Sequence, residues 1–104
     1  MITAEHVEGC KKIVEHYGKE PQMRQAMEEC SELIQAINKL WRKEHQGDDQ
    51  EISEALDKVV GEMADVQIML LQMFIMLDVD PECWEQEIDQ KIARQLKRME
   101  ENPW

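Results

Sequence analysis

Residues 21–43 read PQMRQAMEECSELIQAINKLWRK. Met23, Met27, Cys30, Ile34, Ile37 and Trp41 recur at steps of three and four, the spacing of one face of an α-helix. Pro21 suits a first helical turn, and Lys39, Arg42 and Lys43 complement the dipole at the other end. The stretch predicts a helix over about 21–43 whose apolar stripe, centred on Cys30 and Ile37, faces a core. Glu29 falls at the border of that stripe, beside Leu33 and Leu40. Glu32 lies a little farther round, on a strip shared with Gln22, Gln25 and Ala36. Glu28 points the other way.

Three more helices are expected around this one. Gly and Pro are scarce, and no β-branched residues alternate with polar ones. A first helix over about Thr3–Tyr17 carries Val7, Cys10, Val14 and Tyr17 on one face. The segment YGKEP ends it, with Gly18 suited to the position just past a helix C-terminus. EHQGDDQ (44–50) is a turn. A third helix runs from about Ser53 to Leu77, amphipathic in its first half and apolar nearly all round in its second. In DVDPE (78–82), Asp80 is an N-cap and Pro81 the first residue of a fourth helix that reaches about Glu101. The expectation is one all-α domain over 1–104, a four-helix antiparallel bundle. The all-round apolar half of the third helix cannot be covered easily by a chain this short, so self-association, most simply a twofold homodimer joined through that half, is expected.

The third helix repeats the acidic spacing of the second. Glu62 borders the stripe of Val59, Met63, Val66 and Leu70, with Asp65 next to it and Lys58 and Gln72 on the same side. If the two helices form an antiparallel hairpin about Gly47, facing residues have numbers that sum to about 94, because both arms rise equally per residue. Glu32 then comes level with Glu62, and Glu29 with Asp65. Four carboxylates at one height repel one another and lose hydration. Protonation or pairing with Lys58 would relieve this, and so would a hard divalent cation among them. The donors are all oxygens, which favours Mg²⁺, with Mn²⁺ as a substitute, over Zn²⁺. Acidic pairs such as Glu5/Glu8, Glu51/Glu54 and Glu82/Glu85 have the same spacing and read as solvated faces.

Composition narrows the function further. The 104 residues carry a formal net charge of −11, which argues against a nucleic-acid polymer as partner. Cys10, Cys30 and Cys83 are odd in number and contain no C-x-x-C, against a disulfide framework or structural zinc and in favour of a reducing, cytoplasmic setting. The N-terminus MITAEHVEGCKK lacks the apolar core of a signal peptide. The longest apolar run, VQIMLLQMFIML (66–77), is short for a bilayer, so no membrane partner is expected.

QAMEECSELIQAINKL followed by EALDKVVGEMADVQIMLLQM resembles the MazG-like members of the all-α nucleoside triphosphate pyrophosphohydrolases, whose signature is E-x-x-E on one helix and E-x-x-D on the next. Here these are Glu29-Cys-Ser-Glu32 and Glu62-Met-Ala-Asp65, preceded by the doubled acid Glu28-Glu29. The likeness covers about Tyr17 to Arg98. It implies a helical bundle, a homodimer or dimer of dimers, that binds Mg²⁺ through Glu29, Glu32, Glu62 and Asp65. It further implies hydrolysis of a nucleoside triphosphate to the monophosphate and pyrophosphate for nucleotide-pool clean-up, with Glu28 or Glu29 activating water. Lys58, Lys91 and Arg94 are candidates to meet phosphate, and Gln22, Gln25 and Trp84 to meet sugar, base or the mouth of the site. Trp41 and Phe74 occupy stripe positions and are expected in the core. The alternative is a non-catalytic helical oligomerisation module.

Overall fold

The computed structural model describes residues 1–102; Pro103 and Trp104 lie outside the described residues. Its elements are α1 (Ala4–Tyr17), α2 (Lys19–Gln46), α3 (Asp49–Met76) and α4 (Pro81–Glu101), and no strand occurs among the described residues. The chain is thus all-α with four helices, as the patterning predicts.

Local chemistry sets the ends. Thr3 caps α1, its hydroxyl accepting from the His6 backbone N–H. Gly18 has φ 90°, a left-handed conformation that lets α1 stop and α2 start with a single residue between them. At the hairpin tip, Gly47 closes α2. A Cβ there would meet the Lys43 carbonyl oxygen at 2.9 Å, so a side chain is excluded sterically. Asp48 then caps α3: its carboxylate accepts from Glu51 N–H at 2.8 Å, while the Glu51 carboxylate accepts from Asp48 N–H. This reciprocal box starts α3 earlier than the expected Ser53. Its signal, D-x-x-E at 48–51, is visible in the turn. Asp80 caps α4 as expected.

α2 and α3 pair as the expected antiparallel hairpin, and two polar contacts fix the register. Gln22 Nε2 donates to Gln72 Oε1 at 2.7 Å, and Lys43 pairs with Glu51 at the tip. Both pairs sum to 94. α2 turns Gln22, Ala26, Glu29, Leu33, Ala36 and Leu40 into the seam, each buried or half-buried. α3 contributes Ala55, Val59, Glu62, Val66 and Met69. The buried methyls of Ala26, Ala36 and Ala55 leave room for the two backbones to approach closely. α1 lies on α3 through the buried Cys10, whose thiol faces the Ile68 carbonyl.

The face that α2 turns inward corrects the sequence reading. The stripe Met23, Met27, Cys30, Ile34, Ile37 and Trp41 does not form the chain's own core. All six are exposed: Ile34 keeps 68% of its surface, Met27 65% and Trp41 59%. These residues each follow a seam residue by one position, a rotation of about 100°. On α3 the same offset gives Leu56, Val60, Met63 and Leu70, also exposed. In an antiparallel pair this rotation carries both rows to the same side of the hairpin. Burial within the chain goes instead to the narrower, more polar strip between them.

α4 departs from the expected bundle as well. Among the described residues it comes within 8 Å (Cα–Cα) of none of the other three helices, and all its residues are exposed. Its root is held by Trp84, packed edge-on against Phe74 with ring centroids 5.7 Å apart. The radius of gyration is 17.3 Å, against about 13 Å for a compact chain of this length. The second half of α3 is partly covered within the chain, Val66, Leu71 and Met73 to Met76 being half-buried. By length and composition the whole of α3 could cross a membrane, although 66–77 alone is short.

Candidate metal centre

Glu29 and Glu62 occupy seam positions, so the same periodicity that buries Leu33 and Val59 buries them. Glu62 is only 3% exposed, deep between the helices. Glu32 follows Glu29 by one turn on the rim and is the more open group. One carboxylate oxygen from each of Glu29, Glu32 and Glu62 lies within 4.8 Å of the other two. The antiparallel register brings these three together, as the spacing predicts. Asp65, the fourth predicted ligand, is exposed on α3 and lies outside this group.

The surroundings leave the cluster half satisfied. Gln25 Nε2 donates to Glu29 Oε1 at 2.8 Å, and Lys58 Nζ donates to Glu62 Oε1 at 2.8 Å. The other oxygens, Glu29 Oε2 and Glu62 Oε2, are buried with no hydrogen-bond partner among the described residues. Buried carboxylate oxygens rarely stay unpaired. The Glu29 charge beside Glu32, then desolvation and the Glu62 charge, push the Glu32 carboxyl above the ordinary glutamate range. The Glu62 carboxylate holds the Lys58 ammonium above its ordinary value, with Glu32 and Asp65 adding to this.

This environment fits a hard divalent cation. The donors are all oxygens, two are unpartnered, and the groups converge. About six oxygens at ~2.1 Å around Mg²⁺ stand about 3.0–4.2 Å apart, so a 4.8 Å cluster needs only a small side-chain contraction. A shallow cleft lined by Glu32, Gln35, Ala36, Lys39, Lys58 and Glu62 opens beside it, with space of about 460 Å³.

The remaining candidates fall in three places. Lys58 is at the cluster, and Gln25 serves as a positioning donor to Glu29. Gln22 is buried in the seam and bonded to Gln72, so the structure gives it a packing role instead of an exposed one. Lys91, Arg94 and Trp84 ride on α4, away from the hairpin cluster of the same chain, and Lys91 faces Glu87 at 3.9 Å. Glu28 is exposed, as its helical angle predicts, and its charge still reaches Glu32. Sequence reading does not pair Gln72 with Gln22, although their numbers sum to 94 and carry that signal. It also misses Lys39 as the cleft's second cation; the signal there is its place one turn beyond Gln35, on the Glu32 side of α2.

Comparison of the chain with models of known families, with curated proteins and with solved structures finds no match.

Proposed function

We propose that the protein hydrolyses nucleoside triphosphates, ribo- or deoxyribo-, to the monophosphate and pyrophosphate in a Mg²⁺-dependent reaction. The observation that carries this reading is the pair of buried, unpartnered oxygens, Glu29 Oε2 and Glu62 Oε2, on facing helices. The resemblance of Glu29-x-x-Glu32 and Glu62-x-x-Asp65 to the MazG-like signature adds to it. Glu29, Glu32 and Glu62 would hold the ion, with Asp65 reaching it from the next turn of α3. When bound, the ion offsets phosphate charge and acidifies water.

The chain's own residues supply the rest. Gln25 fixes one Glu29 oxygen and leaves the other aimed into the seam. Lys58, now on Glu62, is the nearest ammonium to the cluster and can turn to a phosphate oxygen. Water attacks the α-phosphorus; an O–P bond forms, the α–β bridging P–O bond breaks, and pyrophosphate leaves with the electron pair. The water proton passes to a carboxylate, Glu29 from inside the site or Glu28 from its edge. The net negative charge fits a small, metal-bound nucleotide better than a nucleic-acid polymer. Cytoplasmic pool clean-up is the setting in which such a reaction is useful.

The test is incubation with a panel of NTPs and dNTPs plus Mg²⁺, separating pyrophosphate from orthophosphate. Pyrophosphate release that Glu32→Gln abolishes is expected. Release of orthophosphate alone would mean that a different bond is cut. The exposed apolar rows favour a second reading, a non-catalytic oligomerisation module; no release from any nucleotide would select it.

A further inference from the structure

Lys58 and Glu62 form an unequal pair. Lys58 Nζ donates to Glu62 Oε1 at 2.8 Å, yet the lysine side chain is 67% exposed and the glutamate side chain 4%. One partner is fixed in the seam, and the other stands in water on a flexible four-carbon stem. Among the described residues Lys58 is the only cation paired with the cluster, since Glu29 and Glu32 have no basic group within 4.0 Å. It supplies one positive charge where three carboxylates converge. Glu62 Oε2 marks the place as one that takes a ligand: it is buried and unpartnered, on a residue only 3% exposed.

Lys58 is poorly placed to stay when a divalent ion enters. Held on Oε1, the ammonium would share one carboxylate with a doubly charged ion, and the like charges repel. Swung away, it frees Oε1 as a ligand but needs another anion. The cleft identifies that anion as a polyphosphate. Lys58 precedes Glu62 by one helical turn and Lys39 follows Glu32 by two, both toward the Gly47 tip. The two ammoniums therefore line the cleft from opposite helices, beyond the acids. Lys39 has no carboxylate within 4.0 Å among the described residues. A chain of phosphates running from the acids toward the tip would meet Lys58 first and Lys39 next.

We propose that Lys58 is a stand-in cation: it closes over Glu62 until a metal–triphosphate complex arrives, then moves to the outer phosphates, with Lys39 as the second arm. This exchange rests on reading the cluster as a metal and triphosphate site, and it adds the form in which the substrate is taken. Free Mg²⁺ has to displace Lys58 with no anion to receive it, so it binds weakly. The complex brings ion and anion together. A chain of net charge −11 also repels a bare triphosphate, whose charge the bound ion partly offsets. By linkage, metal and triphosphate strengthen each other's binding by the same factor. The monophosphate product lacks the outer groups that the two lysines hold, so Lys58 is free to return to Glu62 after turnover.

Calorimetry on the full chain at fixed pH tests the exchange, with free Mn²⁺ and an equimolar complex of Mn²⁺ with inorganic triphosphate as probes. Lys58→Met should bind free Mn²⁺ about fivefold tighter than the wild type, and the complex about fivefold more weakly. Lys58→Arg should return both values toward the wild type. Lys39→Met should weaken only the complex and leave free Mn²⁺ within about twofold. The movement itself is read on the wild type by acetic anhydride labelling, mapped by peptide mass. Lys58 should react faster with saturating Mn²⁺ alone and slower with the complex. Three results overturn the exchange alone: both affinities of Lys58→Met within about twofold of wild type, both moving in the same direction, or Lys58 labelling that neither probe changes. No Mn²⁺ uptake by wild type and Lys58→Met alike, or uptake that Glu32→Gln leaves unchanged, overturns the metal reading and the exchange together. Should Lys58→Met misfold, the wild-type labelling rates decide.

Discussion

Glu62→Gln should make the metal-free protein more stable, an unusual outcome for a change at a residue only 3% exposed. The carboxylate charges of Glu29 and Glu62, within 4.8 Å of each other, repel by about 3.5 kcal/mol at an effective dielectric of about 20. Glu29 is half-buried, and solvent at the open Glu32 side reduces that to roughly half. The contact to Lys58 is lost, but it is a single i,i+4 pair whose ammonium stands in solvent, and it offsets only a small part of the repulsion. A neutral amide at position 62 can also donate to Glu29 Oε2, which has no partner now. The net gain is about 1 kcal/mol, a rise in Tm of about 4–8 °C for a domain of this size. The assay is thermal unfolding by circular dichroism in EDTA at matched concentrations. With Mn²⁺ at about a hundred times Kd the order should reverse, because the wild type gains about 2.7 kcal/mol that the variant forgoes. If Glu62→Gln lowers stability by about 1 kcal/mol or more in EDTA, a change well outside the usual surface range, Glu62 is a satisfied buried group and the crowding argument fails.

Other outcomes follow from the same contacts. Gln72→Ala should cost about 1–3 kcal/mol, because it strands the buried Gln22 amide, while the double change to Leu at both positions should be nearly neutral; chemical denaturation compares them. In EDTA, Glu32, with its carboxyl raised by Glu29, contributes stability that is complete below the ordinary glutamate value and is lost as pH rises through the raised one. Denaturation midpoints from pH 4 to 8 should show that decline, and Glu32→Gln should remove its share. Glu51 behaves oppositely, since Lys43 lowers its value: the stability it contributes is present above the ordinary range and lost as pH falls through the lowered value, so Lys43→Met should flatten the acid limb. Gly47→Ala should destabilise by roughly 1–3 kcal/mol through its clash with the Lys43 carbonyl, as read by the same midpoints.

The hairpin register is legible in the sequence because it depends only on equal rise per residue about one turn, and Gln22–Gln72 and Lys43–Glu51 obey it. The convergence of Glu29, Glu32 and Glu62 follows from that register. The inward face of α2 is not legible. Apolar periodicity at Met23, Ile34 and Trp41 says that a surface avoids water, but not which chain removes it from water. The seam itself carries Gln, Glu and Ala, whose small apolar content gives a weaker periodic signal. The isolation of α4 is hidden for the same reason: the spacing of Ile88, Ile92 and Leu96 describes an amphipathic helix equally well beside any partner.

The three seam alanines also act on the proposed metal site without touching it. Ala26, Ala36 and Ala55 work as spacers that gauge the jaw in which Glu29 and Glu62 are mounted. Enlarging one of them would pry the helices apart by a fraction of an ångström and shift the preferred ionic radius from Mg²⁺ toward Ca²⁺, leaving the carboxylates themselves unaltered.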